Sequence, residues 1–134
     1  MIMVDIDNLK KINDVYGHRV GDKAIKEISK RIKESIRQID IAARYGGDEF
    51  AIILPNTSLG DATVVAERMV HTVASCPIIW KKEQIPLSIS VGLGEYDADT
   101  NPEDITNRSD LALYTAKQAG KNTVKTFEPH GKNN

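Results

Sequence analysis

The alternation of apolar and polar residues divides the chain into amphipathic helices separated by short apolar strands. In the helical stretches apolar residues recur every three or four positions, and lysines and acidic residues fill the other face. The shorter apolar runs lie between glycine, proline and asparagine residues, which is typical of strands. The pattern predicts helices at residues 8–15, 22–37, 59–75 and 102–119, and strands at residues 1–6, 39–45, 50–54, 78–80, 87–94 and 123–127.

The order of these elements predicts an α+β domain. We expect the strands at 39–45 and 50–54 to form one hairpin, and those at 78–80 and 87–94 to form a second around Lys81–Glu83. The order contains a β-α-β-β-α-β core of the ferredoxin-like type. It predicts a central, mostly antiparallel sheet flanked by helices, in one domain over residues 1–128 with a polar, disordered tail at 129–134.

The composition gives no reason to expect a nucleic acid polymer or a membrane as partner. The 134 residues carry a formal net charge of -1, with 40% hydrophobic and 28% charged residues. No apolar run approaches the ~20 residues of a membrane span, and no signal peptide is visible. Cys76 is the single cysteine, so it forms no intramolecular disulfide, and we expect it to pack as a small hydrophobe. These features favour a cytoplasmic protein.

The first hairpin carries the most unusual local sequence, Arg44–Phe50. Its tip is Gly46-Gly47, where glycine permits a positive φ and leaves the backbone bare. Asp48 and Glu49 follow at once and, on a strand, point to opposite faces. A bare backbone beside carboxylates suits a polyanion held through metal ions, although an ordinary hairpin with a solvated acidic tip has the same pattern.

A second acidic pair ends the first strand. Asp5 and Asp7 share one face because side chains alternate along a strand. Carboxylate oxygens at such a position suit Mg²⁺, which prefers oxygen ligands. Asp7 and Asn8 are also candidates to cap the next helix, so the two interpretations coexist.

The predicted loop at residues 16–22 combines glycines with polar side chains. Asn13, His18 and Asp22 could contact the edge of a base through hydrogen bonds. A glycine turn in which Asp22 caps the following helix explains the same residues equally well.

Basic residues near two helix ends also leave alternatives open. Arg37 and Asp40 are three residues apart and form either a local ion pair or a fork for a phosphate or guanine. Lys117 and Lys121 bracket the end of the last helix, where they either offset the helix dipole or clamp phosphates. Arg68 lies off the apolar stripe of its helix and is expected to be free at the surface.

Taken together, these residues resemble those of the GGDEF domain, the catalytic module of diguanylate cyclases, which condense two GTP into cyclic di-GMP. A lone GGDEF string would be a weak signal, but five blocks occur in the family's order and spacing. The blocks are Val4–Asp14, Tyr16–His18 with Gly21–Asp22, Gly46–Phe50, Tyr114–Lys117 and Gly120–Asn122. The resemblance implies a nucleotidyl-cyclase-like fold.

The resemblance also implies a metal and catalytic site. Asp5 and Asp48 match the family's Mg²⁺ ligands, and Ile6 matches the residue that contributes its backbone carbonyl; two Mg²⁺ ions per site are implied, with Mn²⁺ possible. Lys10 matches a lysine assigned to transition-state charge. Glu49 belongs to the same acidic cluster, and the resemblance leaves open which hairpin carboxylate assists deprotonation of the 3′-hydroxyl.

Substrate and inhibitor contacts are implied at three further groups of positions. The guanine and substrate contacts match Asn13, His18 and Asp22, and Gly46 and Gly47 would seat the nucleotide. The phosphate contacts match Lys117 and Lys121, although the family often has Arg at the latter position. Arg37 and Asp40 match the family's RxxD product-inhibition site, which Arg68 would support.

The resemblance predicts GTP as substrate, cyclic di-GMP as product and inhibitor, and a homodimer for catalysis. Leu9 stands where the family usually has Phe, a tolerable apolar exchange. The helix and Asp-x-Leu-Thr segment that usually precede the first strand are absent, so we expect an upstream sensory domain in the full-length protein and low activity of this chain alone. The alternative is a non-catalytic module that binds GTP or cyclic di-GMP.

Overall fold

A five-stranded sheet lies at the centre of the protein, with helices on both faces. The computed structural model describes residues 1–129, so most of the predicted polar tail lies outside the described residues. The strands are β1 Ile2–Ile6, β2 Ile41–Arg44, β3 Glu49–Ile53, β4 Ile78–Trp80, β5 Glu83–Ile85, β6 Ile89–Leu93 and β7 Val124–Thr126. The helices are α1 Leu9–Tyr16, α2 His18–Ser35, α3 Leu59–Ser75 and α4 Pro102–Gln118.

The sheet has the strand order β2-β3-β1-β6-β7. All neighbours in it are antiparallel except β6 and β7, which are parallel. Every residue of β1 is buried, whereas every residue of β2, at the edge, is exposed. The predicted α+β class with a mostly antiparallel sheet is therefore confirmed, and within residues 1–129 no helix is both long and apolar enough to cross a membrane.

Two sets of helices cover the two faces of the sheet because side chains alternate along its strands. Ile2, Val4 and Ile6 face the main core, which α2 and α3 complete with residues such as Ile28 and Met69. The positions between them face α4. Ile2, Val4 and Ile6 therefore pack in the layer of α2 and α3, whereas Asp5 lies in the layer of α4.

Gly92 on β6 sets the distance between α4 and the sheet. A Cβ atom at this residue would lie 2.1 Å from the backbone nitrogen of Leu113 and 2.3 Å from the carbonyl oxygen of Ser109. Only glycine allows the helix backbone to approach so closely. The approach matters for function because α4 carries Lys117 towards β1.

The predicted second hairpin is wrong in its pairing. β4 pairs with β5, through Ile78 and Ile85, while β6 lies between β1 and β7 in the central sheet. All five positions of β6 are buried, which a two-stranded hairpin at the surface could not provide. Pro86, which has no N–H to donate, follows β5 directly.

The predicted loop at residues 16–22 is also wrong, since the helices α1 and α2 meet at the single residue Gly17. Its φ of 92° is open to glycine and turns the chain without a loop. Asp22 therefore lies inside α2 and does not cap it. A Cβ atom at Gly21 would lie 1.7 Å from Asn13 Oδ1, so this second glycine makes room for the Asn13 side chain between the helices.

Other helix ends agree with the sequence. Ser58 accepts a hydrogen bond from the N–H of Asp61, and Asn101 accepts one from the N–H of Asp104 ahead of Pro102. Gly120 follows α4 with a φ of 106°. Cys76, expected to be packed, is exposed because it follows the last turn of α3 at the surface.

The substitution Gly92→Ala should destabilise the domain by at least about 2 kcal/mol, because α4 must move away from β6 to admit the methyl group. Chemical denaturation would measure the change in the free energy of unfolding. Gly60→Ala is the matched control: the added Cβ has only Ser58 Oγ nearby, at 4.0 Å, and helix propensity should make it neutral or slightly stabilising. Equal stabilities for the two variants would contradict the close approach at Gly92.

Candidate active site

The end of β1 and the start of β3 bring three carboxylates together. Asp5 is the antiparallel partner of Glu49, and the N–H of Ile6 donates to the backbone carbonyl of Asp48 at 2.9 Å. Residues more than forty positions apart thus form one acidic edge. The acidic pair at the end of β1 and the Gly46–Phe50 segment are therefore adjacent in space.

Asp5 is the most constrained member of this group. It is 5% exposed, and its Oδ2 lies 2.6 Å from Nζ of Lys117. Its Oδ1 is buried without a hydrogen-bond partner. Burial raises the pKa of the Asp5 carboxyl above its ordinary value, with Asp48 and Asp7 adding to the effect, although Lys117 lowers it.

Glu49 shares this environment. Its pKa is raised first by burial and then by the negative charges of Asp5, Asp48 and Asp110, while Lys117 opposes the rise. Asp110 lies on α4, and no motif in the sequence connects it with the hairpin. The site is therefore a concentration of negative charge that is incompletely neutralised by one lysine.

The hairpin tip is open, and its glycines do not use the positive φ that glycine permits. Positive φ values among the described glycines occur at Gly17 and Gly120 and not at Gly46 or Gly47. The Arg44 guanidinium instead donates to the carbonyls of both tip glycines, at 3.1 and 2.6 Å. No heavy atom lies within 3.8 Å of a Cβ built at either glycine, so the tip offers bare, exposed backbone.

Both lysines at the end of α4 are directed to the segment around the end of β1. Lys117 contacts Asp5, and Nζ of Lys121 donates to Oδ1 of Asn8 at 2.9 Å. Lys10 lies exposed on α1 nearby in the sequence. Lys117 in α4 and Lys121 just after it therefore do more than offset the helix dipole, since Lys117 contacts Asp5 and Lys121 contacts Asn8.

The predicted base-contacting residues lie where α1 meets α2. Asn13 comes from α1 and is half-buried against Gly21, whereas His18 and Asp22 are exposed on the first turns of α2. The helix junction at Gly17 keeps the three on adjoining turns. Their polar groups remain accessible to a ligand.

The two basic residues predicted to form an inhibitory site lie in a separate groove of about 400 Å³ with Asp40. Arg37 donates to Asp40 through its backbone N–H and its guanidinium, at 2.7 to 3.2 Å, which lowers the pKa of the Asp40 carboxyl. The local ion pair is therefore present. Arg68 is not free as predicted, because it donates to the carbonyl of Ser35 at the end of α2 at 2.7 Å.

Asp7 and Asn8 do not cap α1 with their side chains. Asn8 precedes α1 with a φ of 58° and makes no side-chain capping bond. The buried carboxylate of Asp7 accepts hydrogen bonds from Ser88, Ser90 and the N–H of Asn122. In the sequence, the serines at alternate positions, Ser88 and Ser90, were the one sign of this contact, and they did not show that Asp7 is their partner.

The donors at the acidic edge fit a divalent cation that also binds phosphate. Within residues 1–129, no group of three or more His, Cys, Asp and Glu side chains is arranged to hold a metal alone. Mg²⁺, however, is commonly held by one or two carboxylates together with substrate phosphates and water. The unpartnered Oδ1 of Asp5, with the negative charge of Asp48 close enough to raise the Asp5 pKa, matches that requirement.

The fold and this acidic edge define a nucleotidyl-cyclase-like domain. The family model described as "Diguanylate cyclase, GGDEF domain" matches residues 1–123. The chain therefore belongs to the GGDEF domain family.

Relatives and solved structures support this assignment. Diguanylate cyclase A of Treponema denticola is 44% identical over 125 residues, which cover 92% of this chain and 34% of that protein. The response regulator PleD of Caulobacter vibrioides is 39% identical over 127 residues, covering 92% of this chain and 28% of that protein. The chain thus spans about a third or less of the length of these relatives.

Two solved structures show the same fold. The GGDEF domain of DgcB from Caulobacter crescentus in complex with c-di-GMP superposes with a TM-score of 0.92 and 30% identity, over 96% of this chain and 77% of that one. The active GGEEF domain of a diguanylate cyclase from Vibrio cholerae gives a TM-score of 0.83 and 36% identity, over 96% and 81%.

The substitution Glu49→Gln should stabilise the metal-free domain increasingly as the pH rises. Because the folded-state pKa of Glu49 lies above its ordinary value, the folded protein binds more protons between those two values, and its free energy of unfolding falls there with increasing pH. Glutamine does not ionise and lacks this loss. Urea unfolding from about pH 4 to about pH 8 should show a gain for the variant that grows with pH; a gain independent of pH would contradict the charge crowding.

Proposed function

We propose that this chain is the catalytic domain of a diguanylate cyclase, which condenses two GTP into one cyclic di-GMP and two pyrophosphates. The observation that carries the proposal is the buried carboxylate of Asp5, which presents one unpartnered oxygen beside Asp48 and Glu49 while Lys117 holds the other. A buried carboxylate with a raised pKa and a free oxygen is typical of a functional site. Membership of the GGDEF family supports the same conclusion.

The reaction is a pair of equivalent phosphoryl substitutions. Each 3′-oxygen forms a bond to the α-phosphorus of the other nucleotide, the bond from that phosphorus to the oxygen bridging to the β-phosphate breaks, and pyrophosphate leaves. The proton of each 3′-hydroxyl passes to a carboxylate. Asp48 or Glu49 would accept this proton, and the raised pKa of Glu49 makes its carboxylate a better base than an ordinary glutamate.

Asp5, Asp48 and the Ile6 carbonyl would hold Mg²⁺, with two ions per site and Mn²⁺ as a substitute. When bound, the metal neutralises charge on the triphosphate and polarises the α-phosphate. Lys117 favours the ionised form of Asp5 by lowering its pKa against the effect of burial, and together with Lys121 and Lys10 it would supply positive charge to the phosphates.

The nucleotide would lie across the hairpin tip. Gly46 and Gly47 leave the backbone uncovered, so the ribose and phosphates can approach the main chain. Asn13, His18 and Asp22 would bind the guanine from the junction of α1 and α2, where Asp22 can accept from the amino and imino N–H groups. The base would thereby be held at the junction of α1 and α2, and the ribose and phosphates at the hairpin tip.

Catalysis requires two copies of the domain. One site holds one GTP, so the attacking 3′-hydroxyl comes from a nucleotide bound to a second domain that faces the first. A homodimer with two-fold symmetry makes the two substitutions equivalent.

Product inhibition is proposed at the separate groove of Arg37, Asp40 and Arg68. Arg37 is half-exposed; its Nε contacts Asp40 and its Nη2 contacts Asp40, Pro55 and Thr57, so Nη1 is the nitrogen that could reach a phosphate or guanine. The relative from Caulobacter crescentus was crystallised with c-di-GMP, which supports recognition of this ligand within the family.

The substitution Asp48→Ala should reduce cyclic di-GMP formation from GTP and Mg²⁺ by at least about a thousandfold, because it removes a metal ligand and a proton acceptor together. Chromatography of the nucleotides after incubation at high protein concentration would measure the product. Asp99→Ala, which removes one exposed carboxylate from the loop before α4, is the matched control and should leave the rate unchanged.

A wild-type chain that binds GTP yet forms no product at high concentration would contradict the enzymatic proposal. The alternative, a non-catalytic module that binds GTP or cyclic di-GMP, would be favoured by one binding pattern. In that pattern nucleotide affinity survives Asp5→Asn and Asp48→Ala but is lost with Arg37→Ala.

The rate per subunit should rise with protein concentration, because each turnover needs a second domain. Initial rates over about a hundredfold range of concentration at saturating GTP would show this dependence. Gel filtration at the same concentrations supplies the control. A constant rate per subunit for a protein that elutes as a monomer would contradict catalysis between two domains.

A further inference from the structure

Asp7 differs from Asp5 in that both oxygens of its carboxylate accept hydrogen bonds from other residues. It is 4% exposed; Oδ1 accepts from Ser90 Oγ at 2.6 Å, and Oδ2 accepts from Ser88 Oγ at 2.7 Å and from the backbone N–H of Asn122 at 3.0 Å. Three donors leave it no free oxygen directed at a ligand. Its contacts instead join the end of β1 to the turn between α4 and β7.

The residues adjacent to Asp7 and Asn122 make a second contact between the same two segments. Asn8 Oδ1 accepts from Nζ of Lys121 at 2.9 Å, directly beside the pair formed by Asp7 and Asn122. We refer to Asp7, Asn8, Lys121 and Asn122 as the clasp. The clasp holds two chain segments that are more than a hundred residues apart in the sequence.

The backbone of the clasp adopts a conformation that needs external support. The φ angles of Asn8, Lys121 and Asn122 are 58°, 65° and 48°, all in the left-handed region. Asparagine enters this region readily, but lysine seldom does. Such a residue persists where its surroundings determine its conformation, and these positions concentrate at functional sites.

Three different elements fix the turn that carries Lys121. The N–H of Lys121 donates to the carbonyl of Ala116 in α4 at 3.2 Å, and the carbonyl of Thr123 accepts from the N–H of Val91 in β6 at 2.9 Å. Asp7 supplies the third attachment, from the end of β1. Without it, the side-chain contact of Lys121 with Asn8 would be left to join the turn to the segment that follows β1.

We propose that Asp7 is a positioning residue, which orders the turn between α4 and β7 so that the amino group of Lys121 faces the nucleotide phosphates. The proposal rests on the proposed function, in which Lys121 binds phosphate. Asp7 contacts no substrate and acts through Lys121. The role is distinct from that of a metal ligand, since the protein already satisfies both of its oxygens.

Asp7→Ala should weaken the binding of the α,β-methylene analogue of GTP, with Mg²⁺, by about tenfold, because the N–H of Asn122 loses its acceptor and Lys121 its fixed position. Calorimetric titration measures this affinity without turnover. Asp7→Asn should remain within about threefold of wild type, since its carbonyl can serve Ser88 and Asn122 while its amide donates to Ser90 Oγ.

A double-mutant cycle with Lys121→Ala separates positioning from general damage. In the Lys121→Ala background, Asp7→Ala should change the affinity less than about twofold, because the group that it positions is already absent. Equal losses in both backgrounds would overturn the proposal. If Asp7→Ala does not fold, Asp7→Ser, whose hydroxyl is too short to reach Asn122, takes its place in the cycle with the same expectations.

Ser109→Ala is the control for stability alone. It removes a buried hydroxyl that donates to the carbonyls of Met1 and Ile105, remote from the clasp. It should lower the thermal midpoint but leave analogue affinity unchanged; an equal loss of affinity would overturn the positioning role.

Failure of the clasp and failure of the proposed function are distinguishable. If the wild-type chain forms cyclic di-GMP but the effects of Asp7→Ala and Lys121→Ala on affinity are additive, only the positioning role of Asp7 is overturned. A chain that binds the analogue with the predicted coupling but makes no product supports the clasp and overturns catalysis.

Discussion

The contact between Lys117 and Asp5 is the interaction on which the rest of the structure depends. Asp5 lies in a strand whose every residue is buried, so its charge needs a compensating partner. Lys117 can reach it because α4 rests directly on Gly92 of β6. This ion pair thus depends on the burial of β1 and on the close packing of α4, and it sets the charge at the acidic edge. The pair is incomplete, since one Asp5 oxygen has no partner, and this incompleteness is what suits the site to bind a cation and phosphate.

The sequence predicted the class of fold because hydrophobic periodicity is local. The four helices and the strands β1 and β3 follow from spacing within short windows. The partner of β6 could not be read in the same way. A strand buried on both faces needs neighbours on both sides, and the pattern does not identify them. Likewise, Gly17 replaced a predicted loop of seven residues, since one glycine with a positive φ can turn the chain between two helices.

The site was predicted through a family resemblance rather than through spacing alone. Asp5, Asp48, Glu49 and Lys117 do lie together, and the structure adds their burial and the direction of their pKa shifts. The contacts of Asp7 were missed because Ser88, Ser90 and Asn122 are distant in the sequence and carry no distinctive motif. Arg68 was misjudged for a related reason: being off the apolar stripe of a helix does not exclude a bond to the end of another helix.

The exposed edge strand β2 has a consequence for motion. All four of its residues are exposed, and it is joined to the sheet through β3 alone, whereas β1 is buried throughout and paired on both sides. Local opening requires least free energy where few apolar contacts are lost. The strand leading to Gly46 can therefore separate transiently from the sheet while Asp5 stays fixed. The end of β1 that carries Asp5 is therefore the more rigid side of the hairpin region, and β2 is the side that opens more readily.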